Sequence, residues 1–218
     1  MLQVTAAVFV KSPGLSPVKT RLATHLGVEA ATDFYLLSCA AVEEVLQLTP
    51  NLGEAVWALA EAEADHLSWW KNFRTVRQGT GSLGERLHQV YSSLTEEGRG
   101  VLLLGADAPQ ISPNLIEEAI ERVRAGGFVV GPALDGGFYL FGGSQPIPAE
   151  VWTQVQYSQS DTLSRLCAGL GQQDSLSFLP VLRDVDEWED LLALRAAWRL
   201  ETQLLPAQLR LQQWSERF

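Results

Sequence analysis

Short apolar runs alternate along this chain with segments of helical period, and that alternation restricts its fold more than any other feature. Residues 4–10, 55–59, 101–104 and 128–130 are such runs. Between them lie loops and stretches whose apolar residues recur at helical spacing, as Ala31, Phe34, Val42 and Val45 do. A continuous apolar run as short as 101–104 suits a strand buried on both faces, which occurs where helices cover a mostly parallel sheet. Ser112-Pro113 offers an N-cap and an N1 proline for a helix to about Arg124. Helices are also predicted over 62–70, from 82 to about 97, from Asp161, from Glu187 and after Pro206. Near Asp135-Gly136-Gly137 the pattern changes to a hairpin with residues 138–141 as its return strand, and a further strand is expected at 176–182. The expected fold class is α/β, a three-layer α/β/α arrangement around a mostly parallel, mixed sheet. No Pro/Gly/Ser-rich linker divides the 218 residues, so one domain over 1–218 is expected, with a C-terminal helical extension at about 196–218.

Charge narrows the function. The formal net charge is −10, which repels nucleic-acid backbones and anionic membranes. The first acidic residue is Glu29, so residues 1–28 carry Lys11, Lys19 and Arg21 unopposed, a net +3 against −13 for the rest. A local positive spot on an acidic protein suits a small phosphorylated ligand. The apolar start is too short for a membrane span and has no basic residue before it, so neither an anchor nor a signal peptide is expected. Cys39 and Cys167 lie far apart with no metal-ligand spacing, which argues against a disulfide framework or a zinc site and fits a cytoplasmic location.

Four loops carry candidate chemistry. The first, Lys11-Ser-Pro-Gly14 through Lys19-Thr20-Arg21, joins a strand to a helix, where backbone N–H groups and the helix dipole would face an anion. It is not a Walker A loop, since Val18 stands where the second glycine belongs. The second, Gln78-Gly79-Thr80-Gly81-Ser82, offers an amide and close backbone approach for a base or ribose; without a strong preceding strand and a distal acid it is not the dinucleotide fingerprint. Tight-turn glycines would look the same. In the third, Asp107 follows an apolar strand directly and so lies at a carboxyl end, where a carboxylate can anchor Mg²⁺. The fourth, Asp184-Val185-Asp186, offers a second ligand, although Asp186 also reads as the N-cap of the next helix. Asp135 is either a site residue or the first residue of a hairpin turn. His25, His66 and His88 show no ligand spacing and are assigned no role, and the seven tryptophans are expected in the core or at an interface rather than as sugar platforms.

Taken in order, Lys11-Ser-Pro-Gly with Lys19-Thr-Arg-Leu22, residues 78–87, Gly105-Ala-Asp-Ala-Pro109, Gly131-Pro-Ala-Leu-Asp-Gly-Gly-Phe-Tyr-Leu140 and Asp184-Val-Asp186 through Asp190-Leu191 resemble a bacterial family of the nucleotide-diphospho-sugar transferase superfamily. That family has the glycosyltransferase A fold, is labelled in part as arsenosugar-biosynthesis glycosyltransferases, and is similar to the 2-phospholactate and molybdenum-cofactor guanylyltransferases. Tyr157-Ser158 stands where the family's aromatic-Ser element has Trp, and Ala106 and Ala108 where Ser and Cys are more common. The resemblance implies a metal-dependent transferase with Mg²⁺ or Mn²⁺ as cofactor. It implies catalytic roles for Lys19, Arg21 and Asp107, and nucleotide contacts from Lys11, Gly14, Lys19, Thr20, Arg21, Gln78, Gly79, Gly81 and Ser82. Asp135, Gly136 and Gly137 would border the acceptor, and Asp107 and Asp186 would hold the metal. Implied partners are a nucleotide sugar or nucleoside triphosphate and a small-molecule acceptor, with a homodimer open as the assembly. Glycosyl transfer from a nucleoside-diphosphate sugar is the leading expectation; nucleotidyl transfer with release of pyrophosphate is the alternative, and a nucleotide-binding module without turnover is the third.

Overall fold

The computed structural model describes residues 1–171 and 176–218. Its strands are β1 (Val4–Val10), β2 (Glu54–Leu59), β3 (Arg74–Arg77), β4 (Gly100–Gly105), β5 (Phe128–Pro132), β6 (Phe138–Gly143) and β7 (Leu176–Phe178). Among the described residues these form one seven-stranded sheet in the order β3-β2-β1-β4-β6-β5-β7. Only β6 runs against its neighbours; the other pairings are parallel. The expected mixed, mostly parallel sheet is therefore present.

The apolar run at 101–104 occupies the central strand and divides its side chains between two cores. Leu102 and Leu104 join Val4, Ala6, Val8 and Val10 against α2 (Val28–Gln47) and α4 (Pro113–Arg124). Val101 and Leu103 join Ala7, Val56 and Ala58 on the opposite face, against α3 (Leu83–Glu96), α5 (Ala149–Thr153) and α6 (Thr162–Leu170). This period-two split explains why every position of the run is apolar. Phe141 and Trp152 meet edge to face at 5.0 Å in the second core, each fully buried. Burying a large apolar side chain of this kind contributes roughly 1.5–3 kcal/mol.

A third apolar cluster gathers Leu22, Phe34, Leu191, Trp198, Leu211 and Trp214 from α1 (Thr20–Leu26), α2, α7 (Trp188–Trp198) and α8 (Pro206–Ser215), with Val185 from the segment before α7. The C-terminal helix thus packs on α2, with Phe34 and Trp214 rings 5.9 Å apart. No helix among the described residues is long and apolar enough to cross a membrane.

Two local expectations are corrected, and one strand was not anticipated. The helix expected over 62–70 is two 3₁₀ turns, Ala62–His66 and Ser68–Trp70, because Trp70 turns inward to pack at a tilt against Trp57 and to donate from Nε1 to Ser12 Oγ at 3.0 Å. β3, with the sequence Arg-Thr-Val-Arg, gave no apolar signal. It is an edge strand held by Arg74 against Glu54 of β2 at 2.9 Å, and charged residues are what edges tolerate. The helix after the first loop breaks at Gly27, whose φ of 84° suits glycine, leaving a seven-residue α1 before the long α2.

Candidate functional site

The chain runs outward from β1 to β2 and β3, then returns across the sheet to β4 on the other side of β1. That reversal is a topological switch point, where loops leaving adjacent parallel strands diverge and open a crevice. A cavity of about 650 Å³ lies there, lined by Lys11, Lys19, Thr20, Arg21, Gln78, Asp107, Asp135, Gly137, Tyr157, Ser158, Asp184 and Asp186, among others. This is the size range of small-ligand sites.

The loop after β1 is anchored from several sides. Tyr35 of α2 brackets Lys11, its hydroxyl accepting from the Lys11 N–H at 2.8 Å and donating to the Lys11 carbonyl at 3.0 Å. Ser12 is buried, and its N–H donates to Glu61 Oε2 at 2.9 Å. Gly14 has φ of 87°, and a Cβ there would meet nothing, so the turn alone requires glycine. Gly14 does not line the cavity. The helix dipole argument also loses its force: the helix at this loop is the short α1, entered through Lys19 in a left-handed conformation with no side-chain cap.

Lys19 departs most from expectation. Its side chain is 3% exposed, and its Nζ lies 2.7 Å from Asp107 Oδ1 and 2.8 Å from Asp186 Oδ1. The same ammonium donates to the Val185 carbonyl. Burial opposes the charge, but Asp107 and then Asp186 outweigh it and hold the lysine above its ordinary range. An ammonium has three donors, and here each has a partner. Lys19 therefore faces Asp107 and Asp186, the two residues expected to hold a metal, rather than presenting a free charge to a phosphate. Arg21 and Lys11 remain toward solvent; Arg21 lies 3.5 Å from Glu187, and both of those side chains are mostly exposed.

The backbone brings the carboxylates together. The Val185 N–H donates to the Asp107 carbonyl at 2.9 Å, and Gln110 Nε2 donates to the Arg183 carbonyl at 2.6 Å, which lays residues 183–186 along the loop after β4. The capping alternative for Asp186 fails, because Glu187 is the N-cap of α7 and Asp190 caps it. Asp190 Oδ2 accepts from the N–H groups of Asp186 at 3.1 Å and Glu187 at 2.9 Å. The Asp186 side chain is thereby left for Lys19. Asp107 and Asp186 side chains are 45% and 47% exposed, so each keeps an open face toward the cavity.

Asp184 is the acid that sequence reasoning weighed beside Asp186. Burial, with Asp107 and Asp135 nearby, pushes its carboxyl up to about 7, and its Oδ1 is buried without a hydrogen-bond partner. Among the described residues no group of three or more His, Cys, Asp or Glu is arranged to hold a metal. The Asp107–Asp186 pair already binds one cation, the lysine ammonium, between its oxygens. A two-carboxylate set fits a hard divalent ion that completes its shell with water and phosphate oxygens.

The other expected contacts divide. Gln78 is 4% exposed and spends both amide hydrogens inside the protein, on the Ala58 carbonyl at 2.7 Å and the Val10 carbonyl at 3.3 Å. It ties the ends of β1 and β2 together. Gly79, Gly81 and Ser82 do not line the cavity. A Cβ on Gly79 would strike Gln89, and one on Gly81 would strike Glu85; Ser82 and Glu85 form the capping box of α3. These three are explained by the turn and cap, and the expected base contacts from them find no support here.

Across the cavity, Asp135 accepts from the Gly137 N–H at 2.8 Å, the turn role foreseen for it, while both residues still line the cavity. Gly136 is covered, since a Cβ would lie 2.0 Å from the Ser160 carbonyl oxygen. The Leu163 N–H donates to the Gly136 carbonyl, and Thr162, 3% exposed, ties the Gln159 N–H and the Gln156 carbonyl through its hydroxyl. This scaffold displays Ser158, exposed at the cavity wall with φ of 59°. A left-handed backbone costs a non-glycine residue roughly 1–2 kcal/mol, and such strain concentrates at functional sites. Gln208 of α8 was also missed: its Nε2 donates to the Pro109 and Ile111 carbonyls at 2.8 and 2.9 Å, bracing the loop that carries Asp107. No sequence signal separates such a glutamine from others on an amphipathic helix.

A family model described as "Uncharacterized protein conserved in bacteria" (DUF2064) matches residues 35–159, more than half of the chain. The chain belongs to that family. No curated protein matches its sequence. Among solved structures, a protein of Desulfovibrio desulfuricans G20 provisionally named a nucleotide-diphospho-sugar transferase superposes with a TM-score of 0.84 at 21% identity, covering 100% of this chain and 98% of that one. The 4-diphosphocytidyl-2C-methyl-D-erythritol synthase of Anaerococcus prevotii superposes at 0.61 with 11% identity, covering 91% and 96%. Rv0371c of Mycobacterium tuberculosis H37Rv, in complex with manganese, superposes at 0.50 with 19% identity, covering 88% and 97%. The fold of this DUF2064 member is thus that of the nucleotide-diphospho-sugar transferases and nucleotidyltransferases.

Proposed function

We propose that this protein is a metal-dependent transferase that uses a nucleotide-activated substrate, with glycosyl transfer from a nucleoside-diphosphate sugar as the leading reaction. One observation carries the reading. Asp107 and Asp186 converge on a single cation at a sheet switch point, beside a cavity edged by Lys11 and Arg21. A divalent ion held by those two carboxylates would supply electrostatic stabilisation for charge developing on a departing diphosphate. The chain's own residues do the rest. Lys11 and Arg21 attract and orient the phosphates, Asp190 and Gln208 hold the two carboxylate loops in place, and the wall at Asp135, Gly137 and Ser158 borders the acceptor.

The name of the Desulfovibrio neighbour favours the sugar reaction. Lys11 and Arg21 at the cavity edge, together with the diphosphocytidyl synthase neighbour, support a second reading, nucleotidyl transfer with pyrophosphate leaving. Thermal-shift screening of UDP-, GDP- and ADP-sugars against UTP, GTP, CTP and ATP, with and without Mg²⁺, selects the donor, because a ligand bound to the native state raises apparent stability. Product analysis then decides. Free nucleoside diphosphate supports glycosyl transfer, pyrophosphate supports nucleotidyl transfer, and binding without consumption across a broad acceptor panel would instead make the protein a nucleotide-binding module. No shift with any nucleotide overturns the phosphate site.

A further inference from the structure

Lys19 reaches its position at a cost and then satisfies itself completely. Its backbone is left-handed, with φ and ψ both 45°, and its side chain is buried to 3% exposure. Its three ammonium donors end on Asp107, Asp186 and the Val185 carbonyl. The two carboxylates come from segments far apart in sequence, one after β4 and one before α7, yet they meet on this one charge. Two acids drawn this close need a cation between them.

A divalent metal bridging Asp107 and Asp186 would need the space the ammonium fills. The two cations cannot both lie between the same oxygens, since they would stand within a few ångströms of each other, unscreened on the buried side. Nor does Lys19 have reason to leave for an empty cavity, where its donors would lose charged acceptors. It has reason to leave when a polyphosphate offers equally good ones.

We propose that Lys19 acts as a tethered cation that guards the carboxylate pair, so that the site takes up metal as its polyphosphate chelate and discriminates against the free ion. This rests on the metal and phosphate reading given above. On metal entry the ammonium swings from the carboxylates to the phosphate oxygens, exchanging one set of anionic partners for another. Lys19 thus serves as a positioning residue for the metal before it serves as a phosphate contact, and the expected phosphate role becomes the second of two states.

Equilibrium dialysis of Mn²⁺ against the full chain, with and without pyrophosphate, tests this. Lys19→Met and Lys19→Gln are the variants, the glutamine keeping hydrogen bonds to the carboxylates. Asp107→Asn defines uptake by the acidic surface, which is subtracted. Wild type should bind free Mn²⁺ at least tenfold more weakly than either Lys19 variant, and pyrophosphate should tighten Mn²⁺ binding to wild type more than to the variants. A readout on wild type alone covers poor folding of the variants: Mn²⁺ should raise its melting temperature appreciably only with pyrophosphate present, by more than pyrophosphate alone does. Equal free-Mn²⁺ affinity in wild type and variants, or an equal melting shift by Mn²⁺ with and without pyrophosphate, overturns the guarding role alone. Absence of site-specific Mn²⁺ uptake by every form, with or without pyrophosphate, overturns the metal reading together with it.

Discussion

The two walls of the cavity are built by different physics. On the side of β1 and β4, position is set by charge: Lys19 joins Asp107 to Asp186, Arg183 pairs with Asp190 at 2.9 Å, and Asp184 is pushed up by burial and then by its acidic neighbours. On the side of the hairpin and α6, position is set by hydrogen bonds to backbone groups, through Gly136, the Thr162 hydroxyl and the Asp135 carboxylate, with strain stored at Ser158. A charge-held wall can rearrange when a ligand brings new charge, whereas a wall held by backbone geometry stays as built. Such a division is what the proposed function asks for, with the phosphorylated donor and its metal on the side that can rearrange and the acceptor on the side that stays as built.

The largest effect should come from breaking the charged wall at its centre. Asp107→Ala is expected to lower turnover by roughly 10²-fold or more, the scale of losing one transition-state electrostatic contact. Steady-state rates on a variant with unchanged circular dichroism check it, and full activity would move the reaction centre elsewhere. The charged wall should also respond to pH through Asp184. Its carboxyl is raised in the folded state from 3.8 to about 7. The folded protein therefore keeps a proton that the unfolded chain loses, so this contribution is complete below about pH 4 and disappears as pH rises through about 7. Denaturant unfolding in chelator should show wild type losing on the order of 2 kcal/mol between pH 5 and 8, a figure reduced for partial solvent screening, and Asp184→Asn should flatten that slope. Parallel curves would mean that Asp184 ionises normally.

The hydrogen-bonded wall should lose less. Thr162→Val removes the hydroxyl that satisfies Gln159 and Gln156, and is expected to cost about 1–2 kcal/mol of unfolding free energy with little change in its pH dependence. A pH-dependent loss would blur the distinction between the walls. The smallest effect has the opposite sign. Ser158→Gly relieves the left-handed strain but loosens the unfolded chain, leaving a net gain of about 0.5 kcal/mol. A rise in melting temperature accompanied by weaker catalysis would mark that strain as functional, while a fall in stability would show that the Ser158 side chain holds the loop.

By itself the sequence determined the frame. Continuous apolar runs at 101–104 and 128–130 required strands buried on both faces, Ser112-Pro113 started a helix, and Asp135-Gly136-Gly137 turned a hairpin. These are local signals, set by side-chain period, capping and backbone freedom, and they stay readable in one dimension. The placement of Asp107 just past a strand and of Asp135 in the hairpin turn was legible for the same reason, whereas Asp186 lies well beyond the end of the short β7. Edge strand β3 was not, because its two arginines answer to acids outside the strand, Arg74 to Glu54 across the sheet and Arg77 to Asp65, rather than to any period of their own. Partnership was the other thing only the tertiary structure could decide. Lys19 and Asp186 lie 167 residues apart, and nothing nearby in sequence reveals that they share a bond, that Gln78 spends its amide on two strand ends, or that Gln208 braces the loop of Asp107. Which charge neutralises which depends on where the sheet's reversal brings separate loops together, since a buried charge takes its partner from space and not from sequence.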